Sequence, residues 1–184
     1  MLAYRSLPFV IIKNSITFFR FIFKTYLTKK TLSFTISWGD LMTVRNATPQ
    51  ELEAIKEIYE NAKLFMRSSG NMHQWTGDYP SRTLILRDIE NGNCFVYEED
   101  GEILGVFCLF EGPDVTYGRI DGGNWLDDSD YYVIHRIAMK AHGKGIAHKC
   151  FDYGMSKNNH LRIDTHKDNI PMQRALLKYG FQKC

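Results

Sequence analysis

Several signatures of well-known protein classes are missing from this chain of 184 residues. Its four cysteines are widely spaced and include no CxxC pair, which excludes the dense disulfide framework of small secreted domains. The six histidines form no HExxH motif, so we expect no metal site. These absences predict a cytoplasmic protein with free thiols at Cys94, Cys108, Cys150 and Cys184.

The chain also lacks a large excess of positive or negative charge, since its formal net charge is only +2. A nucleic-acid-binding domain normally has a large basic excess, so we expect no nucleic-acid partner. The charge is unevenly distributed, since residues 1–41 hold six basic residues and one acid, whereas the rest of the chain is net acidic. Residues 1–41 and residues 42–184 therefore differ in the sign of their net charge.

The basic part lacks an apolar run long enough to span a membrane. Its apolar stretches, residues 9–12 and 16–23, are interrupted by Lys13, Arg20 and Lys24, whereas a spanning helix needs about 20 apolar residues. No small-residue cleavage site follows them, which argues against a signal peptide. A helix that lies on a membrane surface is the remaining membrane alternative.

The residues before Met42 suggest a different origin for this part. Trp38-Gly39-Asp40 is encoded by a G-rich run just upstream of the Met42 codon, and such a run resembles a bacterial ribosome-binding site. We therefore predict that translation naturally starts at Met42. Residues 1–41 are then an extension outside the fold, and residues 42–184 form the one folded domain.

From Met42 onward, local signals predict alternating helices and strands. Thr48 and Glu51 form a capping box, and Ser81 and Asn169 can each cap a helix. The predicted helices span residues 48–67, 81–91, 146–155 and 169–178, and the predicted strands include residues 94–97, 103–110, 131–139 and 161–165. This order predicts a mixed α/β domain with a central sheet flanked by helices.

The most informative stretch is an apolar strand, residues 134–139, that runs through a glycine turn into the helix at Ile146. Such a turn directs unpaired N–H groups outward at a helix N-terminus, where the peptide dipoles add about half a positive charge. The turn therefore predicts a phosphate-binding site. It is neither the GxxxxGK[ST] loop of kinases nor the GxGxxG loop of Rossmann domains. The alternative is that Gly143 and Gly145 only make a tight turn.

These residues resemble the GCN5-related N-acetyltransferase (GNAT) family, whose members use acetyl-coenzyme A. The resemblance covers residues 42–184 and is most specific at residues 134–151 and 169–181. Family members carry Arg or Gln at the first position of the window His142-Gly143-Lys144-Gly145-Ile146-Ala147, and His142 departs from that pattern. The resemblance implies the acyl-CoA N-acyltransferase fold, a mixed α/β sheet flanked by helices, and acetyl-CoA as the cofactor.

The resemblance also implies how acetyl-CoA is bound. The N–H groups of residues 143–147 hold the pyrophosphate, and the strand backbone at residues 137–139 pairs with the pantetheine arm as an added strand. In the family the next strand splays away to open a cleft for this arm, and an asparagine lies beside the cofactor. The cofactor-binding residues implied in this way are Ile137, Ala138, Met139, His142, Gly143, Lys144, Gly145, Ile146, Ala147 and Asn169.

Acetyl transfer to an amine needs a base, and His135 on the central strand is the first candidate because imidazole titrates near neutral pH. A histidine hydrogen-bonded within the sheet is an equally good interpretation. Glu111, at the end of the preceding strand, is the second candidate, with a solvated carboxylate as its alternative. Many relatives place a tyrosine general acid where this chain has Leu176, and we do not transfer that role to Tyr179.

Only charge limits the identity of the acceptor. The connection over residues 111–130 is rich in acids, and Trp75, Tyr79 and Trp125 can form the walls of a pocket. We therefore predict a cationic amine, in a small molecule or a peptide. The alternative is an acidic loop that serves solubility and aromatic residues that belong to the core.

Family members usually continue after the Gly-Phe pair with one or two further strands, whereas this sequence stops at Cys184. We therefore expect a C-terminally truncated domain with an open sheet edge, which would favour a homodimer or instability. Two functions stay open. One is an N-acetyltransferase, and the other is a truncated, catalytically impaired acetyl-CoA-binding remnant of such an enzyme.

Overall fold

Seven strands form one mixed sheet in the computed structural model, which describes residues 2–6, 43–118, 120 and 123–184. The strands are β1 (Leu2–Ser6), β2 (Thr43–Asn46), β3 (Cys94–Glu99), β4 (Glu102–Glu111), β5 (Tyr132–Met139), β6 (Leu161–Thr165) and β7 (Phe181–Lys183). Their order in the sheet is β2-β3-β4-β5-β6-β1-β7. Every neighbouring pair is antiparallel except β5 and β6.

Within the described part of the chain, two α-helices cover each face of the sheet. The helices are α1 (Leu52–Ser68), α2 (Arg82–Glu90), α3 (Ile146–Lys157) and α4 (Ile170–Tyr179). Ile55 of α1 and Ile85 of α2 pack with Val106 on one face. Phe151 of α3 and Leu176 of α4 pack on the other. None of these helices is both long enough and apolar enough to cross a bilayer.

Capping contacts confirm the predicted helix starts. The Glu51 carboxylate accepts a hydrogen bond from Thr48 N at 2.7 Å, which forms the capping box ahead of α1. The side chains of Ser81 and Asn169 each accept a hydrogen bond from the backbone of the third residue of their helix, at 3.2 Å in both cases. Each contact satisfies an N–H group that the helix itself leaves unpaired.

The N-terminal segment differs from the sequence-based expectation. The sequence places residues 1–41 outside the fold, but Leu2–Ser6 form β1 between β6 and β7. Tyr4 is only 1% exposed and belongs to the same apolar cluster as Ile163. β1 therefore lies inside the sheet, and β7 forms the edge beside it. The expectations for residues 7–42, including a start at Met42, lie outside the described residues.

Two irregularities of β5 shape the centre of the sheet. Toward β4, Cys108 pairs with His135 but Val106 pairs with Ala138, so two residues of β5 stand opposite one of β4. This bulge contains Arg136, whose φ is 49°. Toward β6, pairing ends after the second residue of β5. Beyond that point the two strands diverge, as the family resemblance implies.

Candidate active site

The cleft between β5 and β6 opens into a cavity of about 1450 Å³. Its walls come from these two strands, the first turns of α3 and α4, and the segment that follows α1. Every residue that the sequence predicts at the site lines this cavity except Glu111 and Trp125. The predicted residues that line it are Trp75, Tyr79, His135, Ile137, Ala138, Met139, His142, Gly143, Lys144, Gly145, Ile146, Ala147 and Asn169.

The glycine turn between β5 and α3 has a conformation suited to an anion. Gly143 and Gly145 have φ angles of 79° and 75°, which glycine adopts without strain. A Cβ added at either would meet no atom within 4 Å. Glycine is therefore required by the backbone conformation and not by a lack of space for a side chain. Gly145 is the N-cap of α3, which leaves the N–H groups of Ile146 and Ala147 without an intrahelical acceptor. These groups and the helix dipole fit a pyrophosphate.

Glu111 lies on the face of the sheet away from this cavity. Successive strand residues point to opposite faces, and Glu111 is in phase with Leu109, which packs on the side of α3 and α4. His135 instead pairs with Cys108 and is in phase with the face under α1 and α2. Glu111 is exposed beside Tyr132 on the far side. The structure therefore corrects its prediction as a second base.

Trp125 is also directed away from the cavity. Its indole N–H donates a hydrogen bond to the Tyr117 carbonyl at 2.8 Å, and the Arg162 guanidinium lies 4.3 Å from its ring centroid. Trp125 thus packs beside β6, which corrects its prediction as a pocket wall. Trp75 and Tyr79 do line the cavity, with ring centroids 6.2 Å apart.

His135 is at the centre of a cluster of two carboxylates and a tyrosine. Its Nε2 is 2.8 Å from Asp114 Oδ2, and its Nδ1 is 4.0 Å from Asp164 Oδ1. The Tyr117 hydroxyl donates a hydrogen bond to Asp164, and the Tyr117 ring centroid lies 5.6 Å from that of the imidazole. Both carboxylates line the cavity. His135 is therefore both hydrogen-bonded to Asp114 and accessible from the cavity.

The electrostatics of this cluster favour the ionised form of Asp114. Burial disfavours the charged form of Asp114, but hydrogen bonds from Thr116 and His135 outweigh burial and lower the pKa of Asp114 below its ordinary value. A carboxylate on one imidazole nitrogen fixes the ring and the position of its proton. With Nε2 bonded to Asp114, Nδ1 faces Asp164 across a gap too long for a hydrogen bond. The sequence signal for Asp114 was only its place in the acidic connection.

Arg136 reaches the cavity on the same face as His135, which sequence reasoning missed. Consecutive strand residues normally point to opposite faces, but the bulge at Arg136 turns its side chain. Its guanidinium is 2.9 Å from Asp88 Oδ2 and 5.3 Å from the Phe110 ring centroid. A signal existed in α2, where Asp88 lies beside Ile89 on the buried face, because a buried carboxylate needs a partner.

Two of the implied cofactor residues contact the segment around the end of α1. The His142 ring stacks on Phe65 with centroids 3.6 Å apart, and burial lowers the pKa of His142. The position where the family carries Arg or Gln is thus part of an uncharged aromatic stack. Asn169 caps α4 and also donates a hydrogen bond to Gln74 Oε1 at 2.9 Å. This amide therefore connects two walls of the cavity.

The residues near the family's general-acid position do not face the cavity. Leu176 is fully buried in the core. The Tyr179 hydroxyl donates a hydrogen bond to Asp152 at 2.8 Å, and burial is the main cause that raises the Tyr179 pKa. Neither residue lines the cavity, so Tyr179 is not in a position to act as the general acid.

Comparison with known sequences identifies a family. The profile of the Acetyltransferase (GNAT) family matches residues 52–181. The peptidyl-lysine N-acetyltransferase YiaC of Escherichia coli (strain K12) is 24% identical over 140 residues, which cover 75% of this chain and 82% of YiaC.

Solved structures agree with this match. A GNAT-family acetyltransferase from Streptococcus agalactiae 2603 has a TM-score of 0.70 at 34% identity and covers 78% of this chain and 86% of its own. The aminoglycoside N-acetyltransferase AAC(6')-Iy, solved in complex with CoA, has a TM-score of 0.53 at 18% identity over 78% of this chain and 90% of its own. This protein therefore belongs to the GNAT acetyltransferase family and has its acyl-CoA N-acyltransferase fold.

Proposed function

We propose that this protein transfers an acetyl group from acetyl-CoA to a primary amine. The observation that carries the proposal is the divergence of β5 from β6 beside the glycine turn of α3. A site for an anion and an edge of strand backbone adjoin here, and an extended molecule with phosphates at one end and amides along its length fits both. Membership of the family and the CoA complex of AAC(6')-Iy support this cofactor.

Acetyl-CoA supplies an activated acetyl group as a thioester when it is bound. The N–H groups of residues 143–147 bind its pyrophosphate, and the backbone of residues 137–139 pairs with its pantetheine arm. Lys144 adds positive charge at the same end of the cavity. These contacts orient the thioester toward His135, so the reacting groups are held in position and do not depend on random collision.

His135 acts as the base in this proposal. Transfer from bound acetyl-CoA to an ammonium group would form the nitrogen–carbon bond and break the carbon–sulfur bond. Of the two protons that the nitrogen loses, one would go to His135 and the other, through water, to the departing sulfur. Nδ1 of His135 accepts the amine proton, and Asp114 on Nε2 stabilises the imidazolium that results.

The carboxylates around His135 favour a cationic acceptor. Asp114 and Asp164 both line the cavity, and Asp164 stands 4.0 Å from Nδ1. An ammonium group attracted by these carboxylates reaches the imidazole that deprotonates it. A small-molecule amine fits this description, and so does the side chain of a peptidyl lysine, the acceptor in the name of YiaC.

Calorimetry with acetyl-CoA, followed by a thiol-release assay on a panel of amines, tests the proposal. We expect binding, and thiol release that depends on the amine. His135→Gln should keep the binding and lose the release. Binding without release on any amine would instead indicate a catalytically impaired acetyl-CoA-binding remnant, which the buried Leu176 at the family's acid position favours. Failure to bind acetyl-CoA would contradict both functions.

A further inference from the structure

Strand β1 lies outside the family match over residues 52–181, yet one half of the sheet depends on it. β5 pairs with β6 only at its first two residues. Among the described residues, the rest of β6 has one neighbouring strand, β1, whose residues 2–5 pair with residues 162–165. Within the same part of the chain, β7 pairs with β1 alone. Without β1, these two strands lose most of their backbone partners.

Side chains anchor β1 in this position. Tyr4 is 1% exposed and packs in the apolar cluster that contains Ile163. The Ser6 hydroxyl accepts a hydrogen bond from Leu161 N at 2.8 Å. The strand is therefore bound by apolar contacts in its middle and by a polar contact at its end.

β1 also connects to the candidate active site. Ala3 stands opposite Asp164 in the register, and Asp164 lines the cavity beside His135. Arg5 lies 2.7 Å from Asp127 Oδ2, in the acidic connection that precedes β5. The backbone at Asp164 is thus held by β1 and has no pairing with β5.

We propose that β6 and β7 form a strand-accepting groove, that Leu2–Ser6 of the same chain occupy it, and that this strand is a positioning element for Asp164. An extended segment between two sheet edges is held by backbone hydrogen bonds on both sides. Tethering through residues 7–42 gives the strand a high effective concentration at the groove, which favours its own chain over a second copy. Only the effect on the acceptor rests on the proposed function.

Cleavage of the full-length chain tests the groove directly. A protease site is inserted between residues 20 and 30 and cut in native buffer. We expect the N-terminal fragment to remain bound during size-exclusion chromatography, at the mass of one chain, and to separate only in denaturant. Elution of the free fragment in native buffer would overturn the proposal. Elution of the complex at the mass of two chains would overturn the assignment to the same chain.

Hydrogen exchange in the uncut protein tests which strands depend on β1. In Tyr4→Ala, we expect the amides of residues 163–165 and of β7 to exchange about tenfold faster, with β3 and β4 unchanged. Tyr4→Phe keeps the buried ring and is the matched control, with native exchange expected. If Tyr4→Ala does not fold, the milder Tyr4→Leu replaces it. Native exchange at residues 163–165 in these cavity variants would overturn the proposal.

Two further readouts separate this inference from the proposed function. In Tyr4→Ala we expect the KM for the amine to rise about tenfold, since a small misplacement at the reacting end is enough for such a loss. The Kd for acetyl-CoA should stay unchanged, because the glycine turn follows the end of β5 that does not pair with β6. Equal losses for both ligands would indicate a general structural role and contradict positioning. If acetyl-CoA does not bind, the proposed function is wrong, but the cleavage and hydrogen-exchange experiments still test whether β1 occupies the groove.

Discussion

The Nε2 of His135 lies 2.8 Å from Oδ2 of Asp114, and this hydrogen bond joins the central strand to the connection that follows β4. Asp114 is held in turn by the hydroxyl and N–H of Thr116, at 2.6 and 2.7 Å. The imidazole therefore has a fixed orientation before any ligand enters. His135 and Asp114 form one unit, and a change in either is expected to affect the same proton transfer.

Asp114→Asn tests this unit. The amide keeps the shape of the side chain but stabilises the imidazolium less, so we expect kcat/KM for the amine to fall about tenfold or more. Calorimetry should show unchanged affinity for acetyl-CoA. Glu111→Gln is the matched control, because Glu111 lies on the opposite face of the sheet, and wild-type rates are expected. Similar losses of kcat/KM in both variants would contradict the conclusion that Glu111 lies on the face of the sheet away from the cavity.

Gly145 and Gly101 provide a matched pair for the glycine turn. Their φ angles are 75° and 78°, and a Cβ on either would meet no atom within 4 Å. Alanine in this conformation costs about 1–2 kcal/mol, so thermal unfolding should show similar losses for both Gly→Ala variants. Only Gly145→Ala should weaken acetyl-CoA binding, by about tenfold, which corresponds to about 1.4 kcal/mol. Equal affinities in the two variants would place the pyrophosphate elsewhere.

The pair of Arg136 and Asp88 should contribute strongly to stability when one partner is removed. The two side chains are only 12% and 5% exposed, and an uncompensated buried charge costs about 3–5 kcal/mol. Chemical denaturation of Arg136→Met and of Asp88→Leu should each show a loss of this size, and the double variant should lose less than the sum. Additive losses would show that the two charges do not interact. The exposed pair of Arg82 and Glu53 is the control, with no measurable loss expected.

Asp127 should make stability depend on acidic pH. Hydrogen bonds from Ser129, together with the nearby Arg5 charge, lower the pKa of Asp127 to about 2, whereas the pKa of an unfolded aspartate is about 4. Because the folded pKa is the lower one, the stabilisation is complete above the unfolded pKa and is lost as the pH falls through the folded pKa. The Tm of the wild type should exceed that of Asp127→Asn at neutral pH and converge with it in strong acid. A constant difference across this range would contradict the shift.

Features that depend on neighbouring residues were predictable from the sequence. Thr48, Ser81 and Asn169 mark helix starts because a cap contacts N–H groups only two or three residues away. Gly143 and Gly145 mark a turn because a positive φ is a property of a single residue. The helix starts and the glycine turn between β5 and α3 follow from such signals.

Features that depend on distant residues were not predictable. The pairing of β1 with β6 joins the two ends of the chain, and no local pattern records it. Glu111 was misplaced because alternation along a strand shows two faces without showing which one lines the cavity. Arg136 was missed because the bulge in β5 interrupts that alternation. The contact of Asp114 with His135 arises in an irregular connection, where only the acidic composition was visible.

Beyond Val133, one margin of β5 has no strand beside it within the described residues. Its amides and carbonyls gain strand-like hydrogen-bond partners only when an extended ligand that carries amides binds there. Such a ligand would connect β5 with β6 where the two strands do not pair. Occupancy and rigidity are then thermodynamically linked, so the loaded form should melt at a higher temperature and over a narrower interval than the empty one.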